Sequence, residues 1–287
     1  MSAGAARART VLGLLLSMPV IVWTAELLTG TPPLILAAAV APAALFAAAI
    51  LLAQRSSGRS PGALVFSLAW GALGAAYLST SGNELARRWI DALSDGDDRT
   101  LTALLVAPLL EEAAKALGLV LMLFFGRRGL RSARDGIVYG ALIGVGFVFT
   151  ENLLYLGLSM LQGGEAGLLR ALYLRGILGG ATHVVFTACA GAGLGWSAGH
   201  DERRARLPGL VPGLGFTWAL LQHIAWNALA APAIGRALCG AEIGARACRD
   251  VPTNVALFGE SSLLSLVFLT PGIVVLRVAW RASRNGT

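Results

Sequence analysis

The only lysine in the chain, Lys115, lies inside the apolar run A-P-L-L-E-E-A-A-K-A-L-G-L-V-L-M-L-F-F (107–125), three residues after Glu112 and four after Glu111. On a helix it points about 40° from Glu111 and about 60° from Glu112, so one ammonium reaches both carboxylates. Each charged group at the centre of a spanning helix costs roughly 2.5–3.5 kcal/mol. Such groups persist where they face a protein interior or a wet cavity, which makes this trio a functional-site candidate. A lysine between two carboxylates can hold one ionised and leave the other to exchange protons, the division that acid–base chemistry requires.

Further groups of the same kind follow along the chain. Glu151 sits in F-V-F-T-E-N, one turn after Phe147; His183 is isolated in A-T-H-V-V-F-T; His223 lies in L-L-Q-H-I-A-W-N, one turn before Asn227. Asn152 and Trp226 turn partly aside and are expected to brace these groups. Glu111 and Glu151 each fall ~15 Å below the outer end of their apolar segment, and His183 and His223 ~12 Å below theirs. Four ionisable groups on four helices of alternating direction therefore share one level of a hydrocarbon core ~30 Å thick, and converge on one site. Taken singly, each has a structural alternative: an ion-pair clamp, a hydrogen-bonded histidine, an interhelical asparagine. The shared depth argues against four separate accounts. Covalent catalysis is disfavoured, because the one nucleophile nearby, Cys189, points about 120° away from His183 on its helix and reads as a small buried apolar residue.

The elements that must position these groups are membrane spans. The chain is 56% hydrophobic and 14% charged, with mean hydropathy +0.69, too apolar for a soluble globule of 287 residues. Its net charge of +7 does not indicate nucleic acid, since the arginines punctuate apolar segments instead of gathering on one polar face. The expected fold is an all-α, polytopic helical bundle of about eight spans: 11–28, 33–53, 62–80, 101–125, 137–161, 175–199, 210–231 and 255–279. With both termini cytoplasmic, the inner side receives 14 of the arginines and the outer side eight, so an N-in, C-in arrangement is expected. The first segment has no small-residue cleavage signal before Glu26 and is expected to be retained.

The remaining features carry less. G-A-L-I-G-V-G (140–146) and G-A-G-L-G (191–195) follow no strand, so they are expected to serve close helix packing and not phosphate binding. Cys239 and Cys248, in the last outer loop, are placed to form a local disulfide or to stay free. Glu26 and Tyr77 are assigned to scaffolding. His200 is expected to be solvated, Asp135 and Glu165 exposed, and Glu260 to snorkel near the start of the last span or line the site from outside. In the outer loop 81–100, Trp89, Ile90 and Leu93 lie near one another, as in an interfacial helix.

Together, Glu111, Glu112 and Lys115 of E-E-A-A-K, Phe147, Glu151 and Asn152 of F-V-F-T-E-N, isolated His183, and His223, Trp226 and Asn227 of H-I-A-W-N resemble the PrsW family of intramembrane proteases, related to the type II CAAX prenyl endopeptidases. Those relatives typically have a histidine where Glu151 stands and an arginine where Lys115 stands; this chain follows the PrsW pattern at both. The resemblance covers about 101–231. It implies a division into 1–100 (spans one to three and an outer loop), a catalytic core at 101–231, and 232–287 (an outer loop and the last span). It also implies hydrolysis of a peptide bond within or near the membrane, near its extracytoplasmic side. The implied partners are a membrane-protein or peptide substrate such as an anti-sigma factor, in first-site cleavage of a stress response, and the lipid bilayer. No nucleic acid is implied, and the expected location is the cell membrane, multi-pass.

On that reading Glu111 or Glu112 is the general base for a water, with Glu112 slightly favoured and Lys115 holding Glu111 ionised. Glu151, His183, His223 and Asn227 complete the catalytic set, the histidines and Asn227 steadying an oxyanion or protonating the leaving amine. The cofactor stays open between none and a divalent metal such as zinc. Glu151, His183 and His223 form a zinc-type ligand set, but they come from separate helices without a compact H-E-x-x-H pair. A proton-coupled transporter and a non-catalytic scaffold are the competing classes. The first would ordinarily show repeated halves, and the second would tolerate Glu112→Gln.

Overall fold

The computed structural model describes residues 3–54, 58–93, 102–123, 129–199, 210–230 and 255–285. Among the described residues the regular elements are all helical, as the long Ala/Leu/Gly-rich runs predict. We number them α1 (Ala3–Gly30), α2 (Pro33–Gln54), α3 (Pro61–Leu93), α4 (102–122), α5 (Ala133–Ala171), α6 (172–198), α7 (210–230) and α8 (Val255–Asn285). A helix thus occupies each expected segment. Among the described residues, four stretches are long and apolar enough to cross a membrane: Pro33–Gln54, Pro61–Leu93, Ala133–Ala198 and Ser265–Ala282. The third, at 66 residues, is long enough at ~1.5 Å per residue to cross twice. Large apolar side chains stand on the outside of the bundle, among them Leu45, Leu52, Val65, Leu263 and Val267. This is the pattern of helices solvated by hydrocarbon instead of water.

Two connections differ from expectation. The third helix does not stop at residue 80 but continues to Leu93. Arg87 pairs with Glu84 at 3.0 Å and with Asp91 at 2.8 Å, and Arg88 with Glu84 at 2.8 Å, all at i,i+3 or i,i+4 spacing. These pairs let a polar surface carry the helix beyond its apolar part. Trp89 and Leu93 are exposed on that extension. Between the fifth and sixth segments the chain stays helical except at Gly164, whose φ of +60° breaks the helix in a conformation that suits glycine.

Asp135 is buried, contrary to the expectation of exposure. It lies 2.9 Å from Arg59 and 3.1 Å from Arg131, and its backbone N–H donates to Ser132 Oγ, the N-cap of α5. A carboxylate in the first turn of a helix, paired twice, can be buried at tolerable cost. Glu165 is exposed as expected. His200, Cys239 and Cys248 lie outside the described residues, as does the side chain of Glu260.

Helix α5 is the axis of the bundle. On one face Gly136, Gly140 and Gly144 recur at four-residue spacing against Gly191, Thr187 and His183 of α6. A Cβ on Gly136 would overlap the Gly191 carbonyl oxygen, and one on Gly144 would come within 2.7 Å of the His183 carbonyl oxygen. On another face Gly146 meets the Leu68 carbonyl of α3. The glycine-rich runs therefore bring backbones together, as their position inside spans predicts. Gly140→Ala would drive a methyl against the Thr187 carbonyl. The expected cost is about 1–3 kcal/mol of overpacking, read as a lowered thermal midpoint in detergent together with weaker cleavage, because the same helix face seats His183 one turn on, against Gly144.

Among the described residues, four helices also leave α geometry for a π-helical turn: Trp70–Ala75 in α3, Thr102–Val106 in α4, Leu172–Gly179 in α6 and Trp226–Ala230 in α7. Such turns free a backbone group for other partners and occur often at functional sites. Here Ala72 O accepts from Thr150 Oγ1 at 2.6 Å, and Ala103 O accepts from Asn227 Nδ2 at 3.3 Å.

Candidate active site

Lys115 is fully buried and is the hub of the polar cluster. Its Nζ lies 2.9 Å from Glu112 Oε1, 2.9 Å from His183 Nδ1 and 3.6 Å from Glu111 Oε2, and 3.9 Å above the Phe147 ring. Glu112 Oε1 also meets His223 Nδ1 at 3.0 Å. On the other side, His183 Nε2 is 3.1 Å from Glu151 Oε2, and Glu151 Oε1 accepts from Arg175 Nη1 at 2.7 Å. The histidine rings stand edge-on, with centroids 4.9 Å apart, and Phe186 packs against both. The structure therefore brings together the predicted residues Glu111, Glu112, Lys115, Glu151, His183 and His223 from α4, α5, α6 and α7. Asn227 stands apart, on the wall of the neighbouring cavity with Trp226, its amide turned to Ala103.

These contacts define the histidine tautomers. An ammonium can only donate, so His183 Nδ1 accepts from Lys115 and its proton sits on Nε2, directed at Glu151. A carboxylate can only accept, so His223 carries a proton on Nδ1 toward Glu112, while its Nε2 lies 3.8 Å from Glu111 Oε2.

The two carboxylates of α4 have different surroundings. Glu112 is buried beneath the histidines and lines neither cavity at the site, whereas Glu111 lines both. One cavity, of about 280 Å³, is bounded by Glu111, Glu151, Arg175, His183, His223 and Asn227. The other, of about 370 Å³, shares Glu111, Glu151 and Tyr155 with it and is otherwise lined from α3, α4 and α5. Three carboxylates here face two fixed cations, Lys115 and Arg175, which leaves one negative charge for a proton or a bound cation to answer.

Glu111, His183 and His223 each offer a ligand atom, and these atoms lie within 4.8 Å of one another. Glu111 Oε2 is buried and accepts no hydrogen bond. One carboxylate oxygen and two imidazole nitrogens, with a cavity beside them, are the donor set of a catalytic divalent-metal site with an open position. The carboxylate–histidine contact of Glu112 and His223 is the usual outer support for such a ligand. The residues present therefore fit a metal. The cluster uses Glu111, where the sequence pointed to Glu151.

Two residues of the site were not singled out from sequence. Arg175, one of the eight outer-side arginines, holds Glu151 and lies 3.5 Å over the Tyr155 ring. Tyr155 is one turn after Glu151, so the i,i+4 rule would have placed it on the same face. Arg175 gave a weaker signal, a lone arginine in L-Y-L-R-G-I-L-G whose π-helical turn shifts its facing.

A buried ion-pair cluster built across four helices, beside two cavities that reach it, is the candidate active site. The sequence matches the family described as PrsW family intramembrane metalloprotease over residues 59–245, and the chain belongs to that family. It is a multi-pass membrane protein. The match begins just before α3, so the third helix, which lies outside the resemblance over about 101–231, falls within it. Neither the curated proteins nor the solved structures give a significant match.

Proposed function

We propose that this chain hydrolyses a peptide bond of a membrane-spanning substrate between the two cavities, at the level of Glu111, Glu151, His183 and His223. The observation that carries this reading is the meeting of the Glu111, His183 and His223 ligand atoms within 4.8 Å on the wall of an accessible cavity. Glu111, His183 and His223 would hold a divalent cation such as zinc, which when bound polarises a carbonyl and acidifies a water. Glu112 fixes the ring of His223, and Lys115 fixes Glu112 and His183 against it. Glu151, held by Arg175, is the carboxylate placed to take a proton from the attacking water and return it to the leaving amine. Asn227 is within the same cavity and serves the developing oxyanion or the substrate backbone.

One observation favours a second reading. Lys115 donates to His183, an arrangement that suits a metal-free site in which Glu111, with its unpartnered oxygen, is the general base. Chelation separates the two. Purified protein treated with a strong chelator is expected to lose cleavage by about 10²-fold or more and to regain it on addition of zinc or cobalt. Undiminished cleavage by metal-free protein would establish the glutamate-only mechanism.

In this reading the bundle has eight spans with both termini cytoplasmic, supported by a helix in every expected segment and by the arginine asymmetry. The catalytic core takes in α3 as well as α4 to α7, supported by Trp70 Nε1 donating to Ala114 O and Thr150 to Ala72 O. The ~12–15 Å depth of the site from the outer ends favours cleavage near the extracytoplasmic boundary. The family resemblance makes a single-span anti-sigma factor the substrate class to examine first. Neo-N-terminus mapping of membrane proteins, in cells with and without the chain, tests this. A single-span protein with a new terminus near its outer boundary, present only with the chain, supports the reading; identical termini under several envelope stresses oppose it.

A further inference from the structure

The hydrolytic scheme uses the cavity on the histidine side, yet the larger one, of about 370 Å³, shares Glu111, Glu151 and Tyr155 with it. This second cavity opens between α3, α4 and α5 and has a polar wall of Ser79, Thr80 and Asn83 from α3, Thr102 from α4 and Thr150 from α5. Ser79 and Thr150 direct their hydroxyls to the Ala76 and Ala72 carbonyls. The Asn83 side-chain oxygen, shielded from solvent, accepts no hydrogen bond. A crevice meant for lipid tails would need none of these groups.

The substrate's geometry supplies the use. A membrane-spanning substrate arrives as a helix about 10–12 Å across with its backbone paired internally. Cavities near the lower end of the ligand-pocket range, about 300–1,000 Å³, admit a few residues of extended chain and not such a helix. Unwinding frees N–H and C=O groups, each costly to leave unpaired away from water. An extended chain passing along Glu111 and Glu151 would meet both cavities, since these two carboxylates line each of them.

We propose that the cavity between α3, α4 and α5 is the subsite for a locally unwound stretch of the substrate, a few residues to one side of the scissile bond, with Asn83 accepting from its backbone N–H. This rests on the proteolytic reading above.

The test uses the full chain in lipid vesicles and a synthetic single-span Leu/Ala peptide with a Gly-Gly pair near one boundary. A photo-reactive residue at Thr80, in the Glu111→Gln background, is expected to capture the peptide within a few residues of the Gly-Gly pair. The same group at Leu45, on the lipid-facing side, provides the background. Asn83→Leu in the otherwise native chain is expected to raise KM about 5–10-fold, the worth of one hydrogen bond. Capture at Thr80 no greater than at Leu45 overturns the proposal, as does an unchanged KM. Capture at Thr80 without hydrolysis by the native chain would keep the binding site and remove the proteolytic reading.

Discussion

Glu111→Gln is expected to lower cleavage by about 10²–10⁴-fold while the protein remains folded. Glutamine preserves the shape of the side chain but can neither take a proton nor serve as a strong anionic ligand, so the loss is common to the metal-dependent and metal-free schemes. Folding survives because Glu111 is the looser partner of Lys115, at 3.6 Å against 2.9 Å for Glu112, and retains contact with two cavities. The measurement is the cleavage rate in vesicles at equal protein, with the thermal midpoint recorded alongside. Cleavage at the native rate would remove Glu111 from the chemistry. Glu112→Gln provides the contrast. Glu112 lines neither of these two cavities, and its oxygen joins Lys115 to His223, so its replacement is expected to lower the thermal midpoint as well as the rate.

Lys115→Met is expected to be the most destabilising single change in the core, at about 3–5 kcal/mol. Methionine fills a similar volume, but it leaves the buried Glu112 with His223 alone and His183 Nδ1 without its donor. Breaking one side of a buried pair costs more than the pair contributes, since the orphaned charge stays in a medium of low dielectric. The check is unfolding in mixed detergent micelles. The double variant Lys115→Met/Glu112→Gln should recover part of the loss, because it removes the uncompensated charge. Lys115→Arg should not restore activity: the ammonium is fully buried 3.9 Å above Phe147, and a planar guanidinium cannot reproduce its compact contacts with Glu112 and His183.

Much of this site is readable along the chain because helical spacing is local. The Glu111–Lys115 and Glu112–Lys115 pairs follow from four- and three-residue separations on one helix. The common depth of Glu111, Glu151, His183 and His223 follows from counting residues inward from segment ends at a fixed rise. The glycine runs were legible for the same reason, since a stripe inside a span can serve only close packing. Other readings failed where a polar contact crosses between segments. Asp135 is buried because Arg59, from before α3, reaches it.

The choice between Glu111 and Glu112 was not legible either. The two lie only about 100° apart on their helix, and a modest rotation exchanges the one that faces the cavity. That rotation is set by packing, with Gly118 of α4 closed over Trp70 and Trp70 Nε1 bonded to Ala114 O. Arg175 likewise meets Glu151 only because α6 opens on a π-helical turn and is drawn against α5 by Gly136, Gly140 and Gly144. The sequence by itself determined the helices, the level of the ionisable groups and the pairs within one helix, all of which depend on near neighbours and a fixed rise. Only the tertiary structure decided which carboxylate faces the cavities, which histidine nitrogen is turned to each partner, and that two cavities meet at Glu111 and Glu151. Those depend on how each helix is rotated about its axis, which close contacts between distant segments set.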